Sequence, residues 1–593
     1  MKALRSAASL FALAVLVAVM ACAPGGPGED ATAQLHDIFA REWQTRLAEN
    51  PFQATSVGVH DYNDQLPSVD PEDLERRDGI WRGYLAELEA IDRAALSEED
   101  AINLDMLHAQ LADRTAGYSF GSYQIPFNAD SGFYSGFARL GFNMPFRTTK
   151  DYENYISRME KWPAYVGQHI GNMRLGLERG FTQPKVVLTG IDQVMDTHIV
   201  EDATASVFFK PFAEYPVSVP ESEHARLTAA GTQAILESIV PGYTTLRDFM
   251  VEEYMPNGRE SLGATELPNG ADYYRQRIKH FTTLDLTAEE IHQTGVDEVA
   301  RIRAEMDEII AEVEFEGSFA DFLEFLRTDP RFYPKTAEEL LKEAAYITKT
   351  MDGKLPALFK TLPRLPYTVE PVPEDIAPKY TAGRAVGSPM GSTQPGRYWV
   401  NTYALHTRPL YNMEALSLHE AVPGHHLQGA LARELGELPN HRRFSYLSAF
   451  GEGWGLYSEW LGLEAGFYKD PYSNFGRLTY EMWRACRLVV DTGVHAMGWS
   501  RQQVIDFLAA NTALSLHEIT TETDRYISWP AQALSYKIGQ LKIIELRRRA
   551  EAELGEAFDV RLFHDAVLLN GSIPLDVLDR QIDRFIAEQK ATA

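Results

Sequence analysis

The chain has 593 residues, 45% hydrophobic and 24% charged, a composition that supports a large folded core and excludes a chain disordered throughout. Its formal net charge of −28 repels phosphate backbones, which argues against a nucleic-acid partner. Only two cysteines are present, Cys22 and Cys486, so no internal disulfide framework can be built on the folded body.

Residues 1–21 read as a signal peptide. Lys2 and Arg5 precede the apolar run Ala7 to Ala21, which is too short for a spanning helix. Val19-Met20-Ala21-Cys22 has the form of a lipobox, in which Cys22 becomes the lipidated N-terminus. The expectation is an exported lipoprotein anchored through Cys22 to a bacterial membrane, facing the periplasm or the cell surface. Ala21-Cys22-Ala23 also fits ordinary cleavage, which would give a soluble periplasmic or secreted protein. Residues 22–30, with Pro24-Gly25-Gly26-Pro27-Gly28, read as a tether and favour the anchored form.

From there the periodicity is helical. Leu35, Ile38, Phe39, Trp43 and Leu47 predict a helix over 32–49, ended by Asn50-Pro51. A second runs from Pro71 to about Ile91. A third covers 149–179, with Pro163 placed to kink or split it. Residues 286–314 and 337–362 follow, the former opened by a Thr287 cap with Glu289 and Glu290 in the first turn. Strand signals are confined to 366–372 and 398–403, which predict a small hairpin or edge sheet near the cleft; 374–397 reads as an ordered loop. The expected class is therefore mainly α, a large multi-helix architecture with a small β element. A helical N-terminal region over 31–280 precedes a helical catalytic region over 281–593.

Within that second region, Leu418-His419-Glu420-Ala421-Val422-Pro423-Gly424-His425-His426 carries the chemistry. A zinc helix places two His at i and i+4 on one face. Here position 423 is Pro, and the imidazoles fall six and seven residues after His419. On a straight helix they would rise ~9 and ~10.5 Å, too far to share an ion with His419. Pro423-Gly424 predicts a bulge or break that shortens the effective spacing, favouring His425 over His426 as second ligand. Glu420 points about 100° away from His419 around the helix and suits a general base. Glu452, between Gly451 and Gly453, is the best third ligand, and Glu459 a candidate to orient a His N–H.

These residues resemble the His-Glu-x-x-Pro-Gly-His-His motif of the bacterial family known as domain of unknown function 885. Asn50-Pro51-Phe52-Gln53-Ala54-Thr55, Leu286 to His292, Glu452-Gly453-Trp454 and Ser535-Tyr536-Lys537-Ile538-Gly539 are similar to it as well, so the likeness spans most of the chain. The resemblance implies an α-helical, gluzincin-like zinc metallopeptidase. Its metal ligands map to His419, His425 and Glu452, with Glu420 as base.

Arg484, Arg487, Asp491 and His495 fall on one helical line. They read either as an internal Arg-Asp-His network or as substrate-gripping and intermediate-stabilising groups. Tyr536 and His495 are candidate oxyanion donors. The expected function is Zn²⁺-dependent hydrolysis of short peptides. The rival readings are an inactive lipoprotein that binds peptides or partners, and a metal-dependent amidase or esterase. Cleavage position, side-chain preference and oligomeric state have no signature in the sequence.

Overall fold

Capping residues set where many of the helices begin. The structure, a computed structural model, describes residues 27–592 apart from 375–376, 389–393 and 437; the expected signal peptide and Cys22 lie outside the described residues. Helix α1 (Pro27–Glu49) starts inside the stretch expected to be a tether. Helix α2 (Pro71–Glu89) is capped by Asp70, and α3 (Glu98–Phe120), which the sequence reading did not mark, by Ser97. The predicted helix over 149–179 is split into α4 (Thr149–Glu160) and α5 (Trp162–Arg179). Pro163 sits in the first turn of α5, where a missing N–H costs no hydrogen bond. Thr287 and Glu290 form the expected reciprocal cap on α6 (Ala288–Glu312). The 337–362 segment is α7 (Ala337–Asp352) followed by a short turn of helix, Leu355–Leu358.

Of the two arrangements expected, the β element is a small sheet and not a hairpin. Strands β1 (Tyr367–Pro371) and β3 (Gly396–Val400) pair in parallel, and β2 (Gly383–Val386) pairs antiparallel with β3, giving the order β1-β3-β2. Parallel neighbours need a crossover, so no hairpin joins β1 to β3. β2 arises within the stretch read as a loop. The chain is thus mainly α with one small three-stranded sheet.

Five helices complete the frame of the site: α8 (Met413–Glu420), α9 (His425–Glu434), α10 (Ser448–Leu461), α11 (Pro471–Ala496) and α12 (Ser535–Leu554). Hydrophobic burial divides into several cores. One aromatic core, with Tyr152, Tyr155, Trp162 and Tyr243, belongs to residues 127–254. The largest core runs from Ile102 to Ile586 and takes in Leu418, Leu427, Trp454 and Ile538, so apolar packing crosses position 280. A third joins α6 to α11 through Ile302, Met306, Met482 and the buried free thiol of Cys486. These helices approach closely at Gly295, where a β-carbon would stand 2.7 Å from Leu488 and 3.0 Å from the Val489 backbone nitrogen. No described helix is long and apolar enough to cross a membrane.

Candidate metal centre

The Pro-Gly step breaks the helix rather than bulging it. Helix α8 ends at Glu420, four residues turn, and α9 starts at His425. The Val422–Pro423 peptide is cis. Gly424 donates its N–H to the Leu418 carbonyl at 3.0 Å, and a β-carbon there would lie 1.8 Å from the His419 carbonyl oxygen, so the turn admits only glycine. Trp454 of α10 clamps it by donating Nε1–H to the Pro423 carbonyl at 2.8 Å. The rings of His419 and His425 are left 4.7 Å apart and nearly perpendicular. His426 turns away: its Nε2–H donates to the Leu365 carbonyl at 3.1 Å and its ring packs on Tyr367. Geometry therefore pairs His425, not His426, with His419.

Glu452 enters from α10. Its Oε2 lies 3.3 Å from His425 Nε2 and 3.6 Å from His419 Nε2, and one donor atom from each residue lies within 4.8 Å of the others. Four ligands at ~2.0–2.1 Å around a tetrahedral ion stand about 3.3–3.4 Å apart, so the separations of Glu452 from the two imidazoles suit zinc. The donor set of two imidazoles and one carboxylate fits as well. The glycines around Glu452 serve approach. A β-carbon at Gly453 would meet Gly539 Cα at 2.6 Å, so α10 and α12 touch backbone to backbone. One at Gly455 would come within 2.5 Å of His419 Cε1.

Glu459, one further turn along α10, accepts the His419 Nδ1–H at 2.7 Å and so presents Nε2 to the site. Tyr446 donates its hydroxyl to Glu452 Oε1 at 3.0 Å, leaving Oε2 for the imidazoles. Burial opposes charge on His419, but hydrogen bonds to Glu452 and Glu459 and the negative charge of Glu459 and Glu420 outweigh it and push the ring up to about 10. Burial likewise opposes the Glu452 carboxylate, yet His425 and His419 hold it well below the usual range. The field at the triad thus favours a cation. Glu420 is not among the three; its Oε2 accepts the Ala385 N–H at 2.8 Å, a group on the free edge of β2. The carboxylate is thereby fixed beside the imidazoles.

The triad opens into a cleft of about 2470 Å³. Glu420, Tyr446, Arg484, Arg487 and Tyr536 line it. The predicted line on α11 divides. Arg484 and Arg487 face the cleft, whereas Asp491 and His495 are internal. The His495 candidacy as an oxyanion donor is corrected: the ring is fully buried, accepts the Ala264 N–H at Nδ1 (3.1 Å) and donates Nε2–H to the Tyr526 carbonyl (2.9 Å). Burial pushes it down to about 3, so it is neutral and structural. Asp491 accepts from Tyr274 Oη and the Ala531 N–H, and among the described residues not from either arginine. Lys537, next to Tyr536, is buried and pairs with Glu298 and Glu481. Tyr398 packs in the sheet with its hydroxyl beside Ser417, and neither it nor Trp399 lines the cleft. Sequence reasoning missed Tyr446 and the Ala385 N–H, which carry no motif. Glu518 also lines the cleft.

A family model described as "Bacterial protein of unknown function (DUF885)" matches residues 51–582. No curated protein matches the chain. The chain is similar to the crystal structure of a candidate lipoprotein from Colwellia psychrerythraea, at 27% identity and a TM-score of 0.88, covering 94% of this chain and 100% of that one. A candidate lipoprotein of unknown function from Shewanella oneidensis, at 20% identity and a TM-score of 0.69, shares the fold over 93% of this chain and 99% of that one.

Proposed function

We propose that this chain, which belongs to the bacterial family of unknown function DUF885, is a zinc-dependent hydrolase of peptide bonds in short peptides. The observation that carries the reading is the convergence of His419, His425 and Glu452, with one donor atom of each within 4.8 Å of the others, and a separate carboxylate, Glu420, held beside them. Those three residues would hold the ion. Zinc, when bound, polarises a carbonyl and makes a water easier to deprotonate.

The chain's own residues do the rest. Glu420 takes a proton from the attacking water and passes it to the departing amine nitrogen. The Ala385 N–H keeps that carboxylate aimed during the transfer. Glu459 fixes the His419 tautomer, and Tyr446 fixes Glu452. Tyr536 on the cleft wall is the candidate donor to the developing oxyanion. A cleft of this volume between helices accepts an extended peptide of a few residues rather than a folded protein. The description of the Colwellia psychrerythraea relative supports export and a lipid anchor through Cys22.

Glu420→Gln tests the reading. It keeps the zinc and loses hydrolysis of a mixed peptide library by about 10²–10⁴-fold, the usual worth of a positioned base. Undiminished cleavage in that variant would remove Glu420 from the mechanism. A chain that cleaves acyl esters but no peptide would redirect the reading to an esterase.

A further inference from the structure

We infer that the cleft takes its peptide by the free C-terminal carboxylate, gripped by Arg484 and Arg487, so that hydrolysis trims residues from the carboxyl end. The inference rests on the hydrolytic reading above and names its substrate class.

The two arginines stand three residues apart on α11, about 4.5 Å in rise, and both line the cleft. They begin close to the triad. Arg484 Nη2 is 3.9 Å from Glu459 Oε1, the oxygen that holds His419 at 2.7 Å. A chain advances ~3.3–3.6 Å per residue when extended, so a peptide reacting at the triad reaches these guanidiniums within a few residues.

Both side chains are buried, at 6% and 2% exposure, and their planes are fixed by aromatic rings. Arg484 lies 4.6 Å from the rings of Tyr480 and Trp483; Arg487 lies 4.3 Å from Trp483 and 4.6 Å from Tyr536. Neither is fully used. Arg487 donates Nε–H to Tyr526 Oη and Nη2–H to Glu522 Oε2, but its Nη1 has no acceptor among the described residues. Arg484 Nε has none either.

Glu522 is shared between Arg487 at 3.0 Å and Arg525 at 3.2 Å. Glu518 lines the same wall, and its carboxylate makes no hydrogen bond to these arginines among the described residues. A buried donor without an acceptor weakens the fold, and a forked guanidinium matches a carboxylate. Arg487 Nη1 and Arg484 Nε are themselves shut off from solvent, so a terminal carboxylate docks on the guanidinium edges that line the cleft. Hydrolysis then adds one water across the C–N bond: the shortened peptide gains a carboxylate, and the released residue carries the amine and its proton.

The test uses the zinc-loaded full chain and one apolar peptide in four forms: free acid, C-terminal amide, N-acetylated free acid, and an amide ending in Glu. Mass spectrometry should show C-terminal residues released from both free acids. The amide should be slower in kcat/KM by about tenfold or more, as for loss of a charged hydrogen bond. The Glu-ended amide should not recover. Equal rates on acid and amide would overturn the inference while leaving hydrolysis standing, and recovery by the Glu-ended amide would assign the arginines to an acidic side chain instead. If no peptide is cleaved, the hydrolytic reading fails, and binding still decides the site. Calorimetry on Glu420→Gln should find the free acid about tenfold tighter than the amide, and equal affinities would overturn the site. In Arg484→Gln the acid-over-amide preference should fall to near unity; an unchanged preference would also overturn it.

Discussion

Gly455→Ala probes the metal centre through a single methyl group. The new β-carbon would stand 2.5 Å from His419 Cε1 and 2.7 Å from Nε2, against the 3.4 Å or more of ordinary contact. The ring must retreat by about 1 Å, and ligand distances at a metal are tolerated to ~0.2 Å. Retreat is resisted on the other side, where Glu459 holds Nδ1 at 2.7 Å. Overpacking costs ~1–3 kcal/mol, and replacing a helical glycine returns ~0.5–1 kcal/mol, so the variant should fold. Zinc affinity should fall by about 100-fold or more, the upper end of the cost of losing a ligand's orienting partner. Gly429→Ala is the control, because its β-carbon meets nothing within 4 Å. Chelator competition reads both variants. Unchanged zinc affinity in Gly455→Ala would refute the placement of His419 in the site.

Glu459→Gln should weaken zinc binding by ~10–100-fold in the same competition assay, since it removes the charged acceptor that orients His419. His495→Ala should cost ~2–4 kcal/mol by stranding the Ala264 N–H and the Tyr526 carbonyl, while kcat/KM stays within about threefold below the unfolding temperature. A large rate loss with unchanged thermal stability would return His495 to the mechanism. Asp491 supplies a pH test. Burial pushes it up to about 7, above its unfolded value near 4, although Tyr274 and the Ala531 N–H oppose this. Its protonated form therefore stabilises the fold fully below about pH 4, and that share, on the order of 4 kcal/mol, is lost as pH rises through 7. Asp491→Asn stays neutral, so its melting temperature should gain on wild type between pH 5 and pH 8; a constant difference would contradict the assignment.

Local signals were the legible ones. The Thr287–Glu290 cap and the split at Pro163 depend on neighbours in sequence, and each is readable there. The Pro423-Gly424 break was legible because a straight helix cannot bring His419 and a later imidazole together. Pairings set by distant partners were not. β2 is four residues in a Gly- and Ser-bearing stretch and exists through β3. The contact of Tyr446 with Glu452 and that of the Ala385 N–H with Glu420 are tertiary events without a residue signature. Helical phase put His495 in line with Arg484, but eleven residues also add about 16 Å of rise, enough to carry it from the cleft into the interior.

Metal content of the purified full chain, measured by mass spectrometry beside His419→Ala, His425→Ala and Glu452→Ala, tests the centre most directly. The wild type should carry about one zinc per chain and each variant only a small fraction of that. A wild-type chain that takes up no zinc, or variants that retain it in full, would contradict the account.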